Sequence, residues 1–408
     1  LLRALLAENP TDREARAIRV RALVASAPAA TRLGHSAAAV AGLQEAIDLC
    51  RALNAEDPAD GRWEDERVVV LDRLGDALTA AGETKKAIEA YRASLALAAE
   101  RAHPSDLAGT LTREALGSRL EADGRRVEAL AVFREAIALR HELADRTSDP
   151  AFHRNALLFD LNAAARLEAA AGEADRALDD WREGLALARA AATAPAAGPQ
   201  ARTDLAYALF FVGSALQARK DVDGALCHFA EAQPIATELM RSAPENADAS
   251  RFAGIVARAL GGLRATTGDR TGAVDAFVVA RDADATTVRL KPDRADDAAR
   301  LRNDVDRIGA VAADMLFAHD YGGALAALDR ATPVAPDQLG IDLLRGLTLV
   351  FLDRTSEAEA VFARRRGEGD PTGTVWETGV VQAIARLRSK GLDHPFLKRL
   401  ETNFTAAR

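Results

Sequence analysis

Small and large apolar residues recur along this chain three and four positions apart, the spacing that gathers them on one face of an α-helix. The clearest instance is an alanine, a large residue four positions on, and a small residue three further on. It occurs as Ala87/Tyr91/Ser94, Ala129/Phe133/Ala136, Ala177/Trp181/Gly184, Ala225/Phe229/Ala232 and Ala273/Phe277/Ala280. The anchoring alanines are 42, 48, 48 and 48 residues apart, and weaker copies stand at Ala39/Leu43/Ala46, Ala324/Leu328/Ala331 and Ala358/Phe362. Twelve residues before each anchor is another small residue: Ala27, Gly75, Gly117, Ala165, Gly213, Gly261, Ala312 and Gly346. Five residues before the anchor, Gly82, Gly124, Gly172 and Gly268 suit a helix end that needs a left-handed residue. The pattern predicts an all-α chain of eight units, each a helix, a tight turn and a second helix. The small residue of the first helix and the anchoring alanine of the second let the two axes approach, and the large residue fills the space beside them.

These positions resemble the tetratricopeptide repeat family, whose motif pairs a small residue in its first helix with alanine, a large aromatic and alanine in its second. The resemblance covers nearly the whole chain and implies an α-α superhelix of about eight helix pairs. Most units run 48 residues where 34 is usual. The extra residues follow the signature, in runs such as LALAAERAHP and IALRHELADRTSDP, which predicts longer second helices and then loops marked by Pro58, Pro104, Pro150, Pro199, Pro244 and Pro292. Long units of this kind are similar to those that follow kinase domains in some bacterial serine/threonine kinases. From Ala324 to Ala358 the spacing falls to 34, with Pro336 after the shorter second helix. The segment from Trp376 to Phe404 predicts two capping helices split at Gly391 to Pro395, as a stacked array needs a distinct end to cover its apolar face. The expected division is 1–303 for the long pairs, 304–370 for two shorter pairs and 371–408 for the cap.

Composition narrows the function classes. The chain of 408 residues carries a formal net charge of −8, and its Arg and Lys are interleaved with Asp and Glu, whereas nucleic-acid binding needs clustered cations. Only six of the 53 basic residues are lysine, the bias of a GC-rich bacterial genome. Cys50 and Cys227 have no paired spacing, so neither a disulfide framework nor a zinc site is indicated. No apolar run approaches the roughly 20 residues that cross a bilayer. The expectation is a cytoplasmic protein with no cofactor, no metal, no nucleic-acid partner and no membrane insertion.

Candidate chemistry is sparse. A phosphate-binding glycine loop, a zinc-protease HExxH and a nucleophile elbow are all missing from the sequence. HELAD at His141 lacks a second histidine, and the adjacent Cys227 and His228 point away from one another on a helix. His35, His103, His153, His319 and His394 fall mainly at turns or helix ends and form no metal cluster by spacing. No catalytic residue is expected.

The resemblance instead implies a concave groove lined by the first helices, faced by residues three before, one after and four after the small residue. Those positions hold Asp72, Asp76 and Thr79; Glu114, Ser118 and Glu121; Asn162, Arg166 and Ala169; Phe210, Ser214 and Gln217; and Arg258. Six before the small residue, Phe159 and Tyr207 are added. The order runs from acidic through aromatic and amide to the basic flank of Arg166 and Arg258, which suits a peptide with a basic segment beside an apolar anchor. The chaperone-tail clamp of some family members needs lysines and asparagines where Asp72 and Asp76 stand, so a free C-terminal carboxylate is not the expected ligand there. The expected function is a non-catalytic scaffold that binds a partner protein or peptide. The alternatives are the regulatory arm of a larger bacterial signalling enzyme, such as a serine/threonine kinase, whose catalytic domain lies upstream of Leu1, and a small-ligand or peptide-signal receptor whose superhelix tightens on binding.

Overall fold

The computed structural model describes residues 11–100, 107–144, 150–195, 197–331, 338–369 and 375–405. Among them are eighteen helices and, apart from an isolated bridge between Gly369 and Val375, no strand pairing. Contacts divide the chain into two units, Leu1–Thr193 and Ala194–Arg408. The first holds four helix pairs: α1 (Arg13–Arg32) with α2 (Ser36–Glu56), α3 (Arg62–Ala80) with α4 (Thr84–Glu100), α5 (Leu107–Ala122) with α6 (Arg126–Ala144), and α7 (Pro150–Ala171) with α8 (Ala174–Ala192). The second also holds four: α9 (Pro199–Ala218) with α10 (Val222–Ser242), α11 (Ala247–Thr267) with α12 (Arg270–Leu290), α13 (Ala295–Phe317) with α14 (Tyr321–Ala331), and α15 (Leu339–Phe351) with α16 (Thr355–Arg364). It ends in α17 (Trp376–Ser389) and α18 (Pro395–Thr405).

Close approach within each pair has a simple steric origin. A Cβ placed on Gly75 would stand 2.4 Å from the Tyr91 ring, on Gly117 2.8 Å from Phe133, on Gly213 2.8 Å from Phe229, on Gly261 2.8 Å from Phe277 and on Gly346 2.7 Å from Phe362. The rings lie flat against bare backbone, and all five are buried. Where the first helix carries alanine instead, the corresponding large residue is Leu43 for Ala27, Leu328 for Ala312 and Trp181 for Ala165. Burying a side chain of this size contributes about 1.5 to 3 kcal/mol, but only if the opposing surface leaves room for it. Gly213→Ala should therefore cost about 1 to 3 kcal/mol alone and much less in a Phe229→Leu background, which reproduces the Ala/Leu pairing found elsewhere in the chain. A double-mutant cycle followed by amide exchange of α9 and α10 measures this, and additive costs would contradict it.

The turn inside each pair is set seven residues after the small residue. Gly34, Gly82, Gly124, Gly172 and Gly268 take positive φ there, and so do Lys220, His319 and Asp353 in the other three pairs. In three of the turns the next residue, Asp221, Asp269 or Asp320, caps the second helix by accepting from the backbone N–H of Gly224, Gly272 or Gly323.

Second helices of the long pairs run 17 to 21 residues, against 11 and 10 for α14 and α16, so the added length of the long units lies where the spacing placed it. Pro58, Pro244 and Pro292 are in the connecting loops, whereas Pro150 and Pro199 open α7 and α9, where a missing N–H costs nothing. Pro104, Pro336 and His103 lie outside the described residues. The boundary at 303/304 falls inside α13, because the pair that begins there starts at Ala295. In the cap, Trp376 is buried against Phe362 and donates its indole N–H to the Phe362 carbonyl at 3.1 Å, which ties α17 to the last pair.

Candidate functional site

Second helices spend their apolar faces on the core, while the first helices keep one face partly open. In the unit Leu1–Thr193 that face forms two clefts sharing Arg73 and Asp76. One, of about 370 Å³, is lined by Val69, Asp72, Arg73 and Asp76 of α3, Tyr91 of α4, and Leu111, Thr112 and Ala115 of α5. The other, of about 180 Å³, adds Ala27, Pro28, Thr31 and Arg32 of α1. Asp76 is exposed; it accepts from the Tyr91 hydroxyl at 2.9 Å and is met by Arg73 at 3.4 Å. Asp72 is half-buried. Burial pushes its carboxyl up to about 6, with the hydroxyls of Ser94 and Thr112 nearby acting the other way; Ser94 donates to the Val68 carbonyl at 3.1 Å, and Asp72 Oδ1 is buried without a hydrogen-bond partner.

The other charges named from the sequence are engaged within the chain, which corrects the expected gradient of open charge. Glu121 takes both ends of the Arg166 guanidinium, at 3.0 and 3.1 Å. Glu114 accepts from Arg140 at 2.7 Å, and Arg140, with no exposed surface, also bonds the equally buried Asp160 at 2.5 Å. Arg258 is not an open basic flank, since it sits between Asp284 and Asp304 at 2.7 and 2.8 Å, both carboxylates buried. A third cluster has the same composition, with Arg134 between the buried Glu168 and Asp180. Each cluster joins three consecutive helices through one cation and two acids. Sequence reasoning missed Arg140, Asp160, Arg134, Glu168 and Asp180, because spacing alone does not say which distant charge a helix face will meet.

Two acids sharing one cation, with the site partly or wholly buried, raise the carboxyl that is most desolvated. Burial, with Glu114 adding like charge, pushes Asp160 up to about 7 despite Arg140. The folded chain therefore binds this proton more tightly than the unfolded one, whose carboxyl titrates near 3.9. Its contribution to stability is complete below about pH 4 and is lost as pH rises through about 7, with a slope of up to about 1.4 kcal/mol per pH unit. The stability gap between the parent and Asp160→Asn should shift by that sign in urea titrations across the same window. A constant gap would show that Asp160 does not titrate there.

The uncharged candidates divide. Gln217 is exposed and Asn162 half-buried. Tyr207 is partly exposed but stacked on Phe252 with centroids 3.8 Å apart. Phe210 is half-buried among Phe229 and Phe252, at 5.7 and 6.0 Å, which corrects its expected place as an open groove anchor to a largely packed one. Phe159 is exposed and rests edge-on against Phe133 of the preceding pair, 6.4 Å between centroids. Three further residues share its repeat position, six before the small residue: Val69, Leu111 and Ile255. Together with Phe159 and Tyr207 they are 36% to 47% exposed, and they account for most of the exposed large apolar side chains outside turns and termini. Only the two aromatic members were legible from the sequence, although the spacings of 42 and 48 residues would have found the rest.

No group of three or more His, Cys, Asp or Glu that could hold a metal ion occurs among the described residues, and none of the described helices is long and apolar enough to cross a membrane. Cys50 is buried, its thiol pushed up to about 12 by burial, and Cys227 is exposed. His228 turns back to the Gly224 carbonyl at 2.8 Å.

The fold of each unit, helix pairs closed by a small residue against a large one and stacked in sequence order, is that of a tetratricopeptide-like helical repeat. No family model matches the chain, and no curated protein matches it. Among solved structures it is similar to the apo form of RapI, at 12% identity over 95% of this chain and 97% of that one, with a TM-score of 0.43. It is similar also to a Rap protein complexed with competence and sporulation factor, at 13% identity over 97% and 98% of the two chains, TM-score 0.36. The TPR-like repeats of a putative kinesin light chain from Podosopora anserina match at 19% identity over 55% of this chain and 97% of theirs, TM-score 0.39.

Proposed function

We propose that this chain is a non-catalytic interaction module that receives a segment of a partner protein or peptide on the open face of its first helices. The observation that carries the reading is the double cleft of α1, α3 and α5, where the array leaves apolar walls and a few hydrogen-bonding groups uncovered. Mostly apolar concavities with a small number of placed polar groups are the ordinary form of a binding site. In the first unit Asp72, Asp76, Phe159 and Asn162 remain candidates for that face, with Glu114, Glu121 and Arg166 supporting it through the contacts described above; in the second unit Gln217 is the candidate on the corresponding face, with Tyr207, Phe210 and Arg258 in support. A place in the cytoplasm, and in bacterial signalling as the regulatory arm of a longer polypeptide, fits the same reading.

The test uses a photo-cross-linking amino acid in the full chain. Placed at Ala115 in the cleft it should capture a discrete partner from a lysate of the source cells, whereas at Arg182, exposed on α8, it should not. Equal capture at the two positions, or none at Ala115, removes the proposal.

A further inference from the structure

The five partly exposed apolar residues at one repeat position recur in five consecutive first helices, Val69, Leu111 and Phe159 in the first unit and Tyr207 and Ile255 in the second. Single exposed apolar residues are ordinary on a folded surface, but the same position five times in succession is a pattern that packing inside the chain does not require. In the first unit Val69 of α3 and Leu111 of α5 both line the larger cleft. Phe159 presents a ring already held by Phe133, so little rotamer freedom remains to be lost on binding.

The charges beside this stripe say what kind of segment would cover it. One turn along from Leu111, Glu114 is bonded to Arg140, and farther along α5 Glu121 is held bidentate by Arg166, which lies about two turns beyond Phe159 on α7. Beside Val69, Asp76 has the Tyr91 hydroxyl and Arg73, while Asp72 is half-buried and burial raises its carboxyl, which makes it a poor anchor for an incoming cation. A partner's charge placed at Asp76, Glu114, Glu121 or Arg166 would have to displace a bond already made, and an exposed ion pair returns little for that. The apolar walls have no such competitor. Burying them is favourable in proportion to the apolar area removed from water, wherever a matching apolar surface is offered.

We infer that Val69, Leu111 and Phe159 form the specificity-bearing stripe of the open face, and that its occupant is an uncharged extended segment of a partner polypeptide bearing large aliphatic or aromatic side chains. The inference rests on the proposed function and names the chemistry of its partner, in place of the basic segment that the order of groove charges along the sequence suggested.

The probes are fluorescein-labelled peptides of about twelve residues in which Leu and Phe alternate with Ser and Gln, with Ser and Lys, or with Ser and Glu. Anisotropy titrations against the full chain should show saturable binding of the uncharged peptide, with a Kd that changes less than about two-fold between about 50 and 500 mM NaCl. Leu111→Ser and Phe159→Ser should each weaken it about tenfold, with helix content unchanged. Val69→Leu, which enlarges the stripe without removing anything, should tighten it. Leu33→Ser and Val127→Ser are the controls, since those residues are more exposed, at 74% and 85%, but lie off the stripe.

Tighter binding of the Lys peptide that disappears in high salt would overturn the inference in favour of a charge-reading surface. No saturable binding of any peptide, or equal loss in the two controls, would overturn it as well. Self-association of the parent that Leu111→Ser abolishes would mean that a second copy covers the stripe. A partner that still cross-links at Ala115 in the Leu111→Ser and Phe159→Ser chains would leave the proposed function standing and remove this inference alone.

Discussion

Arg140→Met should destabilise the first unit by about 3 to 5 kcal/mol at neutral pH, the scale expected when one member of a buried ion pair is removed and the other is stranded. Arg140 has no exposed surface, and its guanidinium is the cation shared by Asp160, equally buried, and Glu114. Without it, Asp160 must take up a proton or ionise in an apolar site. The cost should shrink as pH falls, because the protonated carboxyl no longer needs the cation. The same logic gives the rescue. Arg140→Met combined with Asp160→Leu replaces the charges by apolar groups and should recover most of the loss, since an intact buried pair is often no more stabilising than a well-packed apolar one. Urea unfolding of the two variants at about pH 5 and pH 7.5 checks both statements. A single variant as stable as the parent would mean that water reaches the cluster.

The second large effect is expected at Phe229. Its ring has no exposed surface, it covers the bare backbone of Gly213, and it supports Phe210. Phe229→Ala should cost about 3 to 5 kcal/mol, because no side chain can grow into the space from a glycine. Stability in a repeat array is a sum over neighbours, so the loss should appear first as faster amide exchange in α9, α10 and α11. Val127→Ala, at a highly exposed site, should leave exchange unchanged. Uniform acceleration along all described helices would show a single cooperative unit instead.

Both effects depend on features of very different visibility in the sequence. The Gly213/Phe229 pairing was readable, since a small residue and a large one sixteen positions later recur in all eight units. The Arg140 cluster was not, because Asp160 is 20 residues away, and although Cys50, Ala188, Ala236 and Asp284 are buried at the same place in their own units, the residue type there varies too much to mark it. Turn residues show the same divide. Five of the eight left-handed positions hold glycine, and four of those were recognised as turns. Lys220, His319 and Asp353 take positive φ at the equivalent places without being glycine, so residue type did not mark those turns.

By itself the sequence determined the class of the protein, the number of helix pairs and which residues meet inside each pair. Those contacts span fewer than twenty residues and repeat eight times, so local periodicity and steric fit are enough to specify them. The tertiary structure alone decided which charges on the open face are free. A carboxylate reads as a binding group in a sequence whether or not a guanidinium from another helix has already neutralised it. For Glu114, Glu121, Arg166 and Arg258 those partners come from helices 26 to 46 residues distant, and their approach depends on how successive pairs stack. Once those partners are in place, what the face has left to offer is chiefly Val69, Leu111 and Phe159, because an exposed apolar side chain has no in-chain bond to satisfy and gains only when something covers it.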